Sequence, residues 1–412
     1  MGTVGWWVVA ALTAVLALLL LLLSFIAITY AVRGTPIRRV RALGDESQWS
    51  EGLPDVVEVL SKTSLSDGHK VRYYFTGDAL FDALLDDVAR AQQLVTWHVF
   101  WFKPGQLADR VADALAARAR AGVRVLLLLD HFGSKGIGEG YVERLRAAGV
   151  EVCVFRAPTL TTLYKAQHRM HIRVVVIDGR VGYTGGFGID DRWLGDGRHA
   201  GQWRDTSARL EGTAVAQLQG AFVSNWGEAT GDLLLGDSVF QFGESAPGSH
   251  TAGLMYSSPS LGSTSAERFF FTAIAGARQR WWLTSAYFVP NRHFRRLLCT
   301  AAGRGVDVRI LTPGGNTDRP STWYASRAHY EELLAGGVRL YEYVPTMIHA
   351  KTLVVDGIWS MVGTLNFDNR SMVLNDEVGL LAWDRELGQQ LEHAFLTDLE
   401  FAEQVTGEQE RG

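Results

Sequence analysis

Two stretches of the chain, HIRVVVIDGRVGYTGG from His171 and HAKTLVVDGIWSMVGT from His349, repeat one arrangement of groups that can do chemistry. Each opens on a histidine, sets a cation two residues later (Arg173, Lys351), continues through apolar residues and reaches an aspartate (Asp178, Asp356) followed by glycine. Residues two apart on a β-strand share a face, so each histidine and its cation point the same way. Substitution at a phosphodiester needs a nucleophile, an acid for the departing oxygen and positive charge on the nonbridging oxygens. Two histidines and two cations supply that set without a metal. The aspartates, at odd spacing, do not share the histidine face. Asp-Gly readily supplies positive φ, which reads as a tight hairpin turn.

A histidine that attacks phosphorus must be neutral and held by a partner at its other ring nitrogen, while its twin must begin protonated. Asp205, in WRD, lies 34 residues after His171, and Glu377, in NDE, lies 28 after His349. The expected pairs are therefore Asp205 with His171 and Glu377 with His349, the alternative for each acid being a solvated surface position. His168 does not serve as the motif histidine, because Met170 and Val175 would then stand where a cation and an aspartate belong. His98 and Tyr287 fall on the first expected strand of each half, where a core role is the commoner one. No HExxH, CxxC or acidic cluster with ligand spacing occurs. No metal and no other cofactor is expected, and a zinc site on the paired histidines would be repelled by the neighbouring cations.

The repetition extends beyond the histidine segments. LVTWHVFWF (94–102) answers RWWLTSAYFVP (280–290), AGVRVLLLLD (121–130) answers RGVDVRILTP (304–313), and AAGVEVCVF (147–155) answers AGGVRLYEY (335–343). Strand-like runs alternating with Ala- and Leu-rich helical stretches are the pattern of an α/β fold. Four elements recurring in one order imply two homologous lobes, each a mixed sheet flanked by helices, related by a pseudo-two-fold that brings the histidine strands to one seam. The expected divisions are an anchor over 1–32, a polar connector over 33–69, a first lobe over 70–245 and a second over 246–412.

The first 32 residues contain no Lys, Arg, Asp or Glu. Roughly 20 apolar residues cross a hydrocarbon core. A secretory signal would need a basic start, a shorter apolar core and a small-x-small cleavage site, so an uncleaved single span is expected. Arg33, Arg38, Arg39 and Arg41 follow it, and the positive-inside bias puts the catalytic part in the cytoplasm, at the cell membrane. Trp6, Trp7 and Tyr30 stand where interfacial aromatics are expected. With 412 residues, 47% of them hydrophobic, the chain can fill two cores, and the well-separated Cys153 and Cys299 read as buried thiols. A net charge of −4 and a pI near 6.3 argue against a nucleic acid as the main partner.

These residues resemble the phospholipase D superfamily, whose signature H-x-K-x(4)-D-x(6)-G-[GST]-x-N occurs twice. His349, Lys351, Asp356, Gly363, Thr364 and Asn366 fit throughout. His171, Asp178, Gly185 and Gly186 fit the first copy, with Arg173 in place of Lys and Gly188 in place of Asn. SAYFVPN, GVDVRILTP, WRD with LEG and FVSNW, MIHAK and DNRSMVLNDE narrow the resemblance to the bacterial cardiolipin synthase branch over about 70–400. That branch often carries two N-terminal spans where this chain has one. The resemblance implies a ping-pong phosphatidyl transfer between two phosphatidylglycerols in a membrane. His171 would be the nucleophile and His349 the acid and then base. Arg173, Lys351 and Asn366 would hold the phosphate, Asp205 and Glu377 would orient the histidines, and the motif's Asp178 and Asp356 would complete the catalytic set. Arg173 keeps the charge with a different donor geometry, whereas Gly188 gives up an amide donor. A hydrolase ending in water uses the same residues; a nuclease and an impaired family member are the remaining alternatives.

Overall fold

The computed structural model describes residues 3–32, 37–41, 43, 52–157, 168–242, 246–260 and 262–406. Arg33 and a large part of the expected connector lie outside the described residues, as does the Tyr30 side chain. In chain order the strands are β1 (Ser66–Tyr74), β2 (Leu94–Val99), β3 (Arg124–Asp130), β4 (Glu151–Phe155), β5 (Val174–Ile177), β6 (Val181–Gly185), β7 (Trp203–Arg204) and β8 (Ser207–Glu211). They continue as β9 (His250–Ser257), β10 (Arg280–Ser285), β11 (Phe288–Val289), β12 (Asp307–Pro313), β13 (Arg339–Tyr343), β14 (Met347–Ile348), β15 (Lys351–Val355), β16 (Trp359–Gly363), β17 (Phe367–Asp368), β18 (Glu377–Trp383) and β19 (Ala402–Gln404).

One 15-stranded sheet runs through both repeats. From its centre outward the order is β1-β8-β6-β5-β2-β3-β4 on one side and β9-β18-β16-β15-β10-β12-β13 on the other, with β19 added at the β13 edge. β1 and β9 pair antiparallel at the centre, which is the pairing a two-fold axis through the sheet requires. The outer strands β2, β3 and β4 are parallel, as are β10, β12 and β13, and antiparallel β5 and β15 join them to the inner strands. Every residue of β2 and of β5 is buried, the continuous apolar reading of strands covered on both faces. One apolar cluster draws on both repeats through the helices Val215–Thr230 and Arg385–Leu399, with Phe222 and Trp226 in the same cluster as Leu387 and Phe395. Two further clusters belong to single repeats, around Phe81 and Leu115 in the first and around Phe269 and Trp281 in the second.

The end of the expected connector is built into this fold. Leu53–Ser61 is a helix with Pro54 in its first turn that buries Leu53 and Val57 against the helix Ser265–Gly276, and β1 begins at Ser66. A Cβ at Gly276 would stand 2.7 Å from Leu53 Cδ1, so the glycine admits this contact. Local sequence hid it, because a nine-residue helix is too short to display a period. Thr3–Val32 is a continuous helix, and its segment Trp6–Phe25 is apolar and unburied over 20 residues, enough to span a membrane. Cys153 and Cys299 are free and half-buried, rather than fully buried as expected.

Candidate active site

Short cross-repeat contacts, more than the main sheet, place the histidines. Met170 bridges Asp376, and β14 pairs in parallel with β7. As a result His171 N donates to Asp376 O at 3.1 Å and His349 N to Arg204 O at 2.6 Å. The residue after each acceptor is a carboxylate. His171 Nδ1 lies 3.0 and 2.9 Å from the Glu377 oxygens, and His349 Nδ1 lies 2.6 Å from Asp205 Oδ2. Both carboxylates orient histidines, but each serves the histidine of the other repeat. The in-repeat pairing expected from sequence proximity is therefore corrected: backbone pairing across the two-fold carries NDE to His171 and WRD to His349.

A carboxylate accepts, so each Nδ1 holds the proton and each Nε2 is left for substrate. Arg173 Nη1 lies 3.2 Å from His171 Nε2, and since a guanidinium only donates, that nitrogen is unprotonated. Lys351 Nζ donates to His349 O. Arg173 and Lys351 are both buried. Arg173 Nε and Asn366 Oδ1 are buried without a hydrogen-bond partner among the described residues, which is polar capacity of the kind a phosphate and its hydroxyls use.

The two orienting acids are held differently. Glu377 accepts from Thr364 Oγ1 (2.5 Å), Ser371 Oγ (2.7 Å) and Asn375 Nδ2 (3.1 Å). Asp205 accepts from Trp193 Nε1 (2.9 Å) and Thr206 N (2.8 Å). Burial pushes the Glu377 carboxyl well above the usual range against the pull of its three donors. Burial acts on Asp205 in the same direction, but His349 and Lys351 outweigh it and hold Asp205 low. Burial, then the neighbouring cations, drive both imidazoles down, with Arg173 acting first among the charges on His171 and Lys351 on His349. Burial also brings Lys351 down to about 7. Both imidazoles are thereby held toward the neutral form, and Asp205 and Glu377 are the carboxylates that oppose the charges of Arg173 and Lys351.

A cavity of about 560 Å³ joins these groups, lined by His171, Arg173, His349 and Asn366 together with Trp193, Trp203 and Tyr287 among others. Lys351 sits behind the lining, fully buried. Trp193 and Trp203 flank His349 with ring centroids at 5.5 and 5.2 Å. Trp203 is the W of WRD, whereas Trp193 carried no positional mark in the sequence. Tyr287 lines the cavity and donates to Asp318 at 2.9 Å, while His98 is a core residue whose ring packs 5.0 Å from Phe222.

Asp178 and Asp356 are not in the cavity. They occupy hairpin turns at φ 51° and 54°, and each caps the strand beside it. Asp178 accepts from the backbone N–H groups of Gln92, Gln93 and Leu94 at 2.8–2.9 Å. Asp356 accepts likewise from Arg278, Gln279 and Arg280. Their membership in the catalytic set is corrected to a structural one, as Asp-Gly turn chemistry favoured.

The Gly188 departure has a packing reason. A Cβ there would fall 2.7 Å from the Trp193 ring and 3.0 Å from Trp101 Cβ, so indole fills the space that an asparagine would need. Gly186 is equally constrained: a Cβ would lie 2.0 Å from Asp205 Oδ1.

Paired repeats that share one cavity, each lending a carboxylate-held imidazole and a cation, define the phospholipase D-like class. The family model described as cardiolipin synthase, PLD-like domain, matches twice, over residues 84–213 and 270–399. Among similar curated proteins, cardiolipin synthase 2 of Bacillus anthracis is 34% identical over 84% of this chain and 68% of its own length. Cardiolipin synthase of Oceanobacillus iheyensis is 31% identical over 90% and 79%. Among solved structures, phosphatidylserine synthase of Haemophilus influenzae superposes with a TM-score of 0.66 at 10% identity, covering 86% of this chain and 92% of that one, which is a likeness of fold. The chain belongs to the cardiolipin synthase, PLD-like domain family, and is a phospholipase D-type phosphatidyltransferase.

Proposed function

We propose that the protein makes cardiolipin from two phosphatidylglycerols through a phosphatidyl-histidine. His171 Nε2 attacks the phosphorus of the first lipid, the bond from phosphorus to the glycerol oxygen breaks, and His349 gives that oxygen its proton. A hydroxyl of the second lipid then attacks, the nitrogen–phosphorus bond breaks, and the hydroxyl proton passes to His349. His171 is assigned as the nucleophile because its Nε2, which faces the Arg173 donor, carries no proton, and a bound phosphate oxygen takes over that donor and frees the lone pair for attack. The anionic phosphodiester opposes the cations that push His349 down, so His349 gains its proton as substrate binds. Arg173, Lys351 and Asn366 hold the nonbridging oxygens, while Glu377 and Asp205 fix the two rings.

The observation that carries this reading is the single cavity lined by two imidazoles, each held at Nδ1 by the opposite repeat. The two repeats, at 70–245 and 246–412, act as one catalytic unit. The helix Thr3–Val32 anchors it in the membrane, with the exposed Arg38, Arg39 and Arg41 on the cytoplasmic side. The test is brief exposure of the full chain to phosphatidylglycerol in bilayers, a quench in denaturant at neutral pH and mass spectrometry. A phosphatidyl adduct on His171, with cardiolipin and glycerol as products, is expected. Phosphatidic acid as the sole lipid product would make the protein a hydrolase and overturn the reading.

A further inference from the structure

Every group assigned so far addresses the phosphorus being transferred, and none selects the lipid that receives it. Alternation along the extended segment before β5 sends Met170 and Ile172 into the core and leaves Arg169, His171 and Arg173 lining the cavity. The corresponding place in the second repeat, two residues before His349, is Met347, which is buried. The extra cation therefore exists on one side of the two-fold only.

Arg169 is set as a receptor for an anion. Its guanidinium lies 3.6 Å from the centroid of the Phe132 ring, a stack that fixes its plane. Its Nη1 is buried with no hydrogen-bond partner among the described residues. Asp130 attracts it without a hydrogen bond to it, and Asp130 Oδ1 accepts instead from Phe132 N at 2.9 Å and Gly133 N at 3.0 Å. Arg370, which also lines the cavity, is near enough to repel it, as is Arg156, which is itself paired with Glu228 and Asp376. Positive charge gathered beside a phosphoryl-transfer centre calls for a second negative charge.

We propose that Arg169, stacked on Phe132 and facing Arg370, binds the phosphodiester of the acceptor phosphatidylglycerol. The inference rests on the phosphatidyl transfer proposed above. In the product one glycerol separates the two phosphates. Residues 169 and 171, two apart on an extended chain and so about 7 Å apart at Cα, offer a matching separation between the acceptor subsite and the reacting centre. Water and free glycerol carry no phosphate and gain nothing from Arg169, so this residue favours a lipid acceptor over both.

Two acceptors can be compared on one phosphatidyl-enzyme. The full chain, in phosphatidylglycerol bilayers with radiolabelled glycerol, exchanges label into phosphatidylglycerol when glycerol is the acceptor and makes cardiolipin when the lipid is. Arg169→Gln should lower the ratio of cardiolipin formation to glycerol exchange at least tenfold, and Arg169→Lys should recover part of it. An unchanged ratio overturns the acceptor subsite, whether both rates hold or both fall together. Wild-type protein that yields phosphatidic acid alone removes the phosphatidyl-transfer reading and the subsite with it. Wild-type protein that makes cardiolipin, with a ratio that Arg169→Gln leaves in place, removes the subsite only.

Discussion

The two repeats hold their histidines in the same way and build the support from different parts. In the second, Lys351, Thr364 and Asn366 follow the family signature, and Glu377 hangs from three side-chain donors. In the first, Arg173 replaces lysine, Gly186 makes room for Asp205, and the indole of Trp193 fills the space beside Gly188 and donates a hydrogen bond to Asp205. What the two-fold preserves is an imidazole with a proton on Nδ1 and a cation at its side. The means of orienting it is free to change, provided that packing and hydrogen bonds change together.

The sharpest way to break the equivalence of the repeats is to delete each histidine. His171→Asn and His349→Asn should each slow turnover by roughly 10⁴-fold or more on phosphatidylglycerol, because one lacks the nucleophile and the other the proton relay. A phosphatidyl ester of p-nitrophenol, whose leaving group needs no acid, then separates them. His349→Asn should regain a burst of nitrophenol, whereas His171→Asn should not. The reverse result would exchange the two roles.

Next in size is the support of the carboxylates. A methyl group at Gly186 must displace Asp205, and a shift on the order of 1 Å in a catalytic constellation costs roughly 10²-fold. Gly186→Ala should therefore lower kcat by about that factor and also cost about 1–3 kcal/mol of stability, because the displaced Asp205 is buried and hydrogen-bonded. Thr364→Ala, in the corresponding place, removes one of the three side-chain donors to Glu377 and should cost less than about tenfold. Equal losses would mean that the two carboxylates are supported alike, contrary to the geometry.

Much of this was legible before folding is considered. The recurring strands, the shared face of each histidine and cation and the Asp-Gly turns all follow from short-range periodicity and backbone preference, and the sheet order realises the repeat they announce. The exchange of carboxylates was not legible, because Asp205 and His349 are 144 residues apart and only pairing of β7 with β14 brings them together. Trp193 was hidden for a related reason. One tryptophan among 13 becomes a hydrogen-bond donor to Asp205 only where the missing Cβ of Gly188 lets its ring enter.

The cations differ in what pH does to them. Burial brings Lys351 down to about 7, so in the free enzyme its charge is present below that pH and lost above it, while a guanidinium in the other repeat stays charged. If that charge is needed, kcat/KM should fall about tenfold per pH unit on the alkaline side, and Lys351→Arg should move the limb upward. Arg173→Lys should add a second alkaline limb. Measurement of kcat/KM from pH 5 to 10 decides between the sources of the limb: one that persists in Lys351→Arg belongs to His349 rather than to the lysine.

The smallest effects test whether Gly188 and Trp193 are one device. Restoring the signature residue by Gly188→Asn forces a side chain into the Trp193 ring and Trp101 Cβ, so it should lower stability by about 1–3 kcal/mol in chemical denaturation and bring no gain in rate. Trp193→Phe keeps most of the volume and removes the N–H that Asp205 accepts, a loss of about 1 kcal/mol and so roughly fivefold in kcat. The smaller ring also vacates part of the space in which the asparagine clashes. The double variant should therefore be more stable than the sum of the single changes predicts, an interaction that a double-mutant cycle measures directly. Strict additivity would show that the glycine and the indole arose independently and that the first repeat tolerates its missing amide for some other reason.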